Sequence, residues 1–454
     1  MHPLLLILIA SVVVRAALWA AWKDLPVRIV DAKAYNRLAI TIVEQGAYLT
    51  PEGKPSSLRP PLYPALVAGV YSMFGSENHA AVRMMQALLG LGTVVLVYVL
   101  GAEVYSRRVG LWASAWCAFY PSFLGFNNLL LSETLFTLFV TAITVLAVIA
   151  IKRRSMALMP VLGVLLGLGA LVRSILWLCG PLIAVYLLLV WGGRWRTRTG
   201  AACIMLTCFL ATIAPWAYRN THHQQTLTII DCMGGRNAMM GNYEHTPLER
   251  SWATIDIAQG KQAWHQVLAA ETPDYSSLTQ GQIDKVAMKH GVQFVLDHPL
   301  LTLKRNIVRV FNFWQLERTL IAGAAFGHFG KLPKPVVLVG AAFVCGSYAL
   351  AVFAGLFGVL MTPVSDRRIH WLLVFTIAFP CVIHTLIFAH SRYHLPIMPI
   401  VLVFATSALL SMRNLWSRRR ELTFVLSLIA CLMLIVGWTR EIVMVDLSRS
   451  SGLF

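Results

Sequence analysis

Apolar runs of bilayer length recur from one end of this chain to the other, and most charges fall in the gaps between them. A helix needs about 20 apolar residues to cross a hydrocarbon core of roughly 30 Å, and inside that core its backbone polar groups must be satisfied within the segment. Runs at 3–22, 80–104, 109–125, 129–151, 156–172, 174–191, 200–217, 336–361, 370–388, 395–412 and 422–438 meet or approach that length. The expected fold class is an all-α polytopic membrane protein, a bundle of about eleven transmembrane helices. Val109 to Ile151 is long enough for two crossings at 1.5 Å per residue, with Asn127-Asn128 as the break. Only 13% of the 454 residues are charged, against about 25% in soluble domains, which excludes an ordinary soluble enzyme.

The net charge of +18 raises the question of nucleic acid, and its placement answers it. Arg107-Arg108, Lys152-Arg153-Arg154, Arg194/Arg196/Arg198, Arg367-Arg368 and Arg413 with Arg418-Arg419-Arg420 occupy short gaps between spans. By the positive-inside rule these gaps are cytoplasmic. The excess is a topology signal with attraction to anionic lipid headgroups, and no nucleic-acid partner is expected. The N-terminus is then inside and the C-terminus outside. Met1 to Trp22 lacks a basic leader and a small-residue cleavage site, so it reads as an uncleaved first span. Seven of the eight cysteines lie in apolar runs and Cys232 stands alone, which rules out a disulfide framework and a Cys-x-x-Cys metal site. The adjacent His222-His223 lack a third ligand nearby.

The chain divides into an N-terminal transmembrane module (1–217) with a first external loop at 23–79, a mixed external segment (218–335) and C-terminal transmembrane helices (336–454). In the first loop, Asp31 to Gln45 has helical spacing and Gly46 ends it. Pro61 to Phe74 is apolar but short, an interfacial or re-entrant piece. In the second segment, Leu278 to Asp297 reads as a helix. Pro299 to Trp314 reads as a basic amphipathic helix, with Leu303, Ile307, Val310 and Phe311 opposite Lys304, Arg305 and Arg309.

Sorting ionisable residues by side leaves a group where positive-inside loading should deplete arginine: Asp31, Arg59, Glu133, Arg173, Arg219 and Arg392. Charges at such depths are costly and read as functional. Arginine forks suit phosphate oxygens, and a carboxylate among cations can serve as a base near neutral pH. The alternative for Asp31 is a helix N-cap. Arg15 and Arg83 read as structural or lipid contacts.

Asp31-x-x-x-Tyr35, followed by Arg59-Pro60-Pro61-Leu62-Tyr63-Pro64, resembles the first-loop signature of the protein O-mannosyltransferase and lipid A aminoarabinose transferase superfamily of GT-C glycosyltransferases. Leu131-Ser132-Glu133, Leu171-Val172-Arg173, Pro215 to Asn220, Gly234-Gly235-Arg236-Asn237 and Arg392-Tyr393-His394-Leu395-Pro396 extend the resemblance along the chain in order. The resemblance implies a GT-C bundle that moves a sugar from a polyprenyl-phosphate carrier, with inversion, to a lipid, glycan or protein acceptor. It implies Asp31 as catalytic base and Glu133 as the second carboxylate. Arg59, Arg392, Arg173 and Arg219, with Tyr35, Tyr63 and Tyr393, would form the donor phosphate and substrate site. Relatives often carry an acid where Ala32 stands, and the lipid A branch carries one where Leu58 stands; no cofactor or metal ion is indicated. The expected location is a bacterial-type cytoplasmic membrane with the site on the periplasmic face. The rival functions are a lipid-linked glycan polymerase or ligase, and a flippase-type transporter.

Overall fold

The computed structural model describes residues 3–256, 260 and 262–447. The ends of the two outer modules, residues 1–2 and 448–454, lie outside the described residues. The first half holds α1 (Pro3–Trp22), α2 (Val30–Gln45), α3 (Leu62–Phe74), α4 (His79–Val104), α5 (Arg107–Phe119), α6 (Pro121–Phe126), α7 (Glu133–Arg153), α8 (Met159–Val172), α9 (Cys179–Val190) and α10 (Trp195–Gln224). Five shorter helices follow: α11 (Gly234–Gly241), α12 (Trp264–Glu271), α13 (Gln280–Asp297), α14 (Pro299–Phe313) and α15 (Arg318–Ala325). The chain closes with α16 (Lys334–Met361), α17 (Arg367–Ile387), α18 (Met398–Leu410), α19 (Met412–Ser417) and α20 (Leu422–Glu441).

Among the described residues, eight of the eleven expected runs form helical segments long and apolar enough to cross a membrane. The other three apolar runs are helical but interrupted. The 109–125 run breaks at Tyr120, whose backbone is extended (φ −66°, ψ 119°) before Pro121 opens α6. A residue before proline is pushed out of the helical region, so α5 stops after 13 residues. The 156–172 and 174–191 runs each begin with a 3₁₀ turn, at Met156–Leu158 and Ser174–Leu178, which leaves short α-helices of 14 and 12 residues.

The basic clusters gather at one end of the bundle. Lys152 and Arg153, ending α7, pair with Glu103 near the end of α4. The Tyr186 hydroxyl of α9 donates to the Arg368 carbonyl at the start of α17. Between the two ends, α18 is buried along almost its whole length and packs on α16, α4 and α5.

The 218–335 segment, expected to be mixed, is helical: among the described residues the one β-bridge pairs Leu49 with Pro55. Its longest helix, α13, opens on a reciprocal cap, in which the Thr279 hydroxyl accepts from the Gln282 backbone and the Gln282 side chain accepts from Thr279 N–H. Helix α11 lies so close to α13 that a Cβ on Gly235 would stand 1.8 Å from the Asp284 carbonyl oxygen. Helix α14 is amphipathic, but its polar face turns inward. Arg305 and Arg309 are buried while Leu300, Leu303 and Ile307 are exposed. Arg309 donates to Asn242 Oδ1 at 3.1 Å and to the Gly241 carbonyl.

The first loop is pinned to this frame by Arg83, which is a structural residue. Its guanidinium donates to the carbonyls of Lys23 (2.5 Å), Leu25 (2.6 Å) and Asn128 (3.0 Å). Hydrogen bonds from charged donors contribute about 1.5–3 kcal/mol each, and their loss leaves carbonyls unpaired. Arg83→Met is expected to lower the thermal midpoint of the detergent-purified protein by several degrees and to open residues 23–28 to limited proteolysis. A midpoint and cleavage pattern unchanged from the native protein would refute this role.

Candidate active site

Helix α2 begins at Val30 because Ile29 holds an extended backbone and the chain then turns helical, with no side-chain cap at Ile29. Asp31 therefore sits in the first turn and is not the N-cap. Its two oxygens are used elsewhere. Oδ1 accepts from Arg59 Nη2 at 2.6 Å and Oδ2 accepts from Arg392 Nη2 at 2.7 Å.

Each arginine is delivered by a short, rigid piece of chain. Arg59 precedes Pro60-Pro61, and the Tyr48 hydroxyl donates to the carbonyls of Arg59 (3.0 Å) and Pro60 (3.3 Å). Arg392 sits in the 3₁₀ turn Ser391–Ile397 that leads into α18. Arg173 has an extended backbone between α8 and the next 3₁₀ turn, which aims its guanidinium at Glu133, the first residue of α7. Arg173 Nη2 lies 2.5 Å from Glu133 Oε1, and Arg392 Nε lies 3.8 Å from the same oxygen. Tyr393 stacks on His384 at 4.1 Å, with the Arg173 and Arg392 guanidiniums 5.9 and 5.6 Å from its ring centre.

Within the contacting cluster, three guanidiniums (Arg59, Arg173, Arg392) against two carboxylates (Asp31, Glu133) leave one positive charge, with Asp231 farther along the cavity wall in the field of Arg59. Burial alone would raise the pKa of Asp31. Arg392 and Arg59, with a smaller contribution from Arg173, outweigh it and hold the carboxyl well below the ordinary range. Carboxylates that already face guanidiniums make an anion site rather than a cation site, and among the described residues no three His, Cys, Asp or Glu gather as a metal site.

A cavity of about 1260 Å³, counting its open mouth, starts at this cluster. Asp31, Tyr35, Arg59, Arg173, Arg392 and Tyr393 line its polar end. It then runs between α7, α8, α9 and α17 past Val140, Ile143, Leu166, Ile183 and Phe375 to Ala147. From Phe136 to Ala147 along α7 is about 16 Å at 1.5 Å per residue. The cavity joins an anion site to an apolar groove of lipid-tail dimensions.

Three expected residues lie off the cavity: Glu133, buried behind Arg173 and Arg392, and Tyr63 and Arg219. Tyr63 is buried with its hydroxyl donating to Gln86 Oε1 at 2.8 Å, and its ring packs edge-on against Tyr35. Arg219 stacks on Trp216 and donates to the carbonyls of Ser56 (2.7 Å) and Tyr48 (2.9 Å). Both hold the segment that presents Tyr35 and Arg59. Three lining residues were not expected at the site: Ser174 and Asp231, which have no signature in the sequence, and Asn237, which closes the Gly234-Gly235-Arg236-Asn237 motif. Met233 N–H donates to Asp231 Oδ1 at 3.2 Å, and burial pushes the Asp231 pKa up to about 6. Glycines 234 and 235 mark the turn beside it, but nothing in the residue order separates Asp231 from an ordinary loop acid.

Residues 58–218 match the family model described as dolichyl-phosphate-mannose-protein mannosyltransferase. The structure superposes on the apo oligosaccharyltransferase of Archaeoglobus fulgidus with a TM-score of 0.54 at 14% identity, over 96% of this chain and 55% of that one. This is the GT-C glycosyltransferase fold. The oligosaccharyltransferase AglB of the same archaeon, in complex with an inhibitory peptide and a dolichol-phosphate, gives 0.54 at 16% identity over 96% and 54% of the two chains. The GT-C bundle described here thus spans about half the length of these archaeal proteins. ArnT from Cupriavidus metallidurans bound to undecaprenyl phosphate gives 0.41 at 12% identity, over 90% and 79%, too distant to carry an argument. A comparison with curated protein sequences finds no match.

The two cavity carboxylates shift in opposite directions, and so do their effects on stability. The folded pKa of Asp31 lies below its unfolded value near 4, so its ion pairs contribute fully above that value and are lost only as pH falls below it. The folded pKa of Asp231 lies above its unfolded value, so its contribution declines as pH rises from about 4 through about 6. Thermal unfolding in detergent is expected to show the difference between native protein and Asp31→Asn flat from pH 8 to about 4. The difference between native protein and Asp231→Asn should fall across pH 4 to 6. The reverse pattern would contradict the site electrostatics.

Proposed function

We propose that the chain is an inverting glycosyltransferase that uses a polyprenyl-phosphate-linked sugar, with Asp31 as the base. The observation that carries the reading is Asp31 held by Arg59 and Arg392 at the head of an apolar groove whose α7 wall, Phe136 to Ala147, is about 16 Å long. The family match and the dolichol-phosphate bound to AglB, which shares the fold, support it.

A polyprenyl-phosphate sugar is a phosphodiester with one negative charge, which balances the single positive excess of the cluster. Its prenyl chain fills the groove between α7, α8, α9 and α17, and its phosphate meets Arg59, Arg392 and Arg173. With both oxygens on guanidiniums, Asp31 is a poor base in the empty site. An arriving phosphate competes for those guanidiniums, which frees a carboxylate lone pair and raises its proton affinity. The acceptor hydroxyl then gives its proton to Asp31 while its oxygen attacks the anomeric carbon from the face opposite the phosphate. The bond from the anomeric carbon to the phosphate oxygen breaks, and the electron pair leaves with polyprenyl phosphate. The arginines stabilise the charge developing on that leaving group. Glu133 holds Arg173 and Arg392 in place.

The basic end of the bundle lies in the cytoplasm by the positive-inside rule, so the reaction takes place at the opposite, periplasmic face of the cytoplasmic membrane. The acceptor is a lipid, glycan or protein of the envelope.

Purified protein in nanodiscs is to be incubated with undecaprenyl phosphate carrying radiolabelled mannose, glucose or N-acetylglucosamine, together with an envelope extract. A positioned general base contributes about 10²–10⁴-fold, so Asp31→Asn is expected to lose transfer by at least 10²-fold. Arg59→Ala and Arg392→Ala should weaken capture of undecaprenyl phosphate. Transfer by Asp31→Asn at the native rate would remove Asp31 from the mechanism. Turnover only with a lipid-linked oligosaccharide would move the assignment to a glycan ligase, and transport across vesicles without any product would favour a flippase.

A further inference from the structure

Resting on that reading, we propose that Asp231, with the Ser174 hydroxyl and the Asn237 amide, forms the subsite that grips the hydroxyls of the transferred sugar. The first argument is the order of atoms in the donor. A polyprenyl-phosphate sugar is linear: tail, phosphate, sugar. The groove between α7 and α17 takes the tail and the arginines take the phosphate, so the sugar must lie on the far side of the arginines from the groove. Among the polar residues of the cavity wall, Ser174, Asp231 and Asn237 are those that belong neither to the arginine cluster with its tyrosines nor to the groove helices α7, α8, α9 and α17.

The second argument is chemical. Carboxylates and amides that flank a cavity are suited to hydroxyl groups, because the carboxylate only accepts while the amide both donates and accepts. Met233 N–H holds Asp231 Oδ1 at 3.2 Å, and Asp231 and Ser174 both line the cavity. Asn237 is one helical turn on, in α11, its backbone N–H bonded to the Met233 carbonyl at 2.9 Å. The turn carrying both is anchored to the arginine loop, since Cys232 N–H donates to the Ser57 carbonyl at 2.8 Å. It is anchored again to α13, where Arg236 N–H donates to Asp284 Oδ1 at 2.9 Å.

The third argument is electrostatic. Arg59 is the cation that acts on both carboxylates: it bonds Asp31 directly, and its field reaches Asp231 while Asp284 opposes it. When the donor phosphate draws Arg59 away, Asp231 loses part of its compensation. Its carboxyl is then pushed further toward the protonated form, which both donates to and accepts from sugar hydroxyls. The subsite is thereby coupled to phosphate capture.

The test compares undecaprenyl phosphate, a monoester, with the sugar-bearing diester of the same tail, and reads each variant against native protein on the same carrier. Equilibrium binding of undecaprenyl phosphate and of the sugar-bearing carrier that the native protein turns over is measured for native protein, Asp231→Asn and Asn237→Ala in nanodiscs. Each variant is expected to bind undecaprenyl phosphate within twofold of native and the loaded carrier about tenfold more weakly. In turnover, KM for the donor should rise about tenfold with kcat little changed, since uniform binding is what is lost. A donor lacking the hydroxyl that Asp231 receives should bind native protein and Asp231→Asn equally. Equal weakening of both carriers would make Asp231 a structural support, and a fall in kcat alone would make it part of the proton transfer; either result overturns the subsite. If Asp231→Asn does not fold, Asn237→Ala and Ser174→Ala carry the same comparison. Failure of the native protein to turn over any sugar-bearing carrier overturns the glycosyl-transfer reading itself. Native turnover with unchanged Asp231→Asn affinity overturns the subsite alone.

Discussion

The bridge from Arg59 through Asp31 to Arg392 is the interaction on which the rest of the site depends. It joins the first loop to a turn 361 residues later in the chain, and each carboxylate oxygen takes a different guanidinium. In a low-dielectric surrounding an isolated charge of either sign is expensive, and a pair with one member removed is worse than no pair. The five charges at the site therefore hold one another: Glu133 steadies Arg173 and Arg392, Asp31 steadies Arg392 and Arg59, and one positive charge is left over. That surplus is what makes the mouth of an apolar groove an anion site before any ligand arrives. Preorganisation of this kind is effective because no reorientation of the guanidiniums is needed when negative charge develops.

Much of the bundle was legible in the residue order because two strong rules operate on it. Backbone satisfaction in lipid forces long apolar helices, and the basic clusters sort their ends. Helix α2 and its stop at Gly46 were also readable: Gly46 takes φ +63° and its N–H returns to the Ile42 carbonyl. The break at Tyr120-Pro121 and the 3₁₀ starts at Met156 and Ser174 were not, since hydropathy records what a residue is and not which way its backbone turns. The segment 218–335 looked mixed because its polar composition hides caps such as Thr279 with Gln282, which fix a helix without any apolar run.

The site divides in the same way. The residue types that bring charge to an unexpected depth marked Asp31, Arg59, Glu133, Arg173 and Arg392, and the structure brings these together. The same reasoning could not separate them from Arg219, because a guanidinium that clamps two backbone carbonyls and one facing a cavity have identical sequence signatures. Tyr63 lies in the same motif as Arg59, yet its side chain points to Gln86 and the first-loop packing. Asp231 had neither an unusual depth nor a periodic pattern to mark it. Only the fold, by laying the turn before α11 across the cavity, shows that it shares a wall with Asp31.

The inward polar face of α14 changes how the charge of this chain should be counted. Arg305 is 4% exposed and Arg309 is fully buried, and both spend their hydrogen bonds on carbonyl and amide oxygens of the 241–246 stretch. Cations enclosed in this way do not shed counterions when a bilayer approaches, and salt in the surrounding solution hardly screens them. Together with the arginines committed to Asp31 and Glu133, they make the formal +18 an overstatement of the field a lipid surface meets. Outward cations remain at both ends, in the gaps at the basic end and at Lys33, Lys289, Lys304 and Lys331 at the other, while α14 turns Leu300, Leu303 and Ile307 outward where its arginines point in.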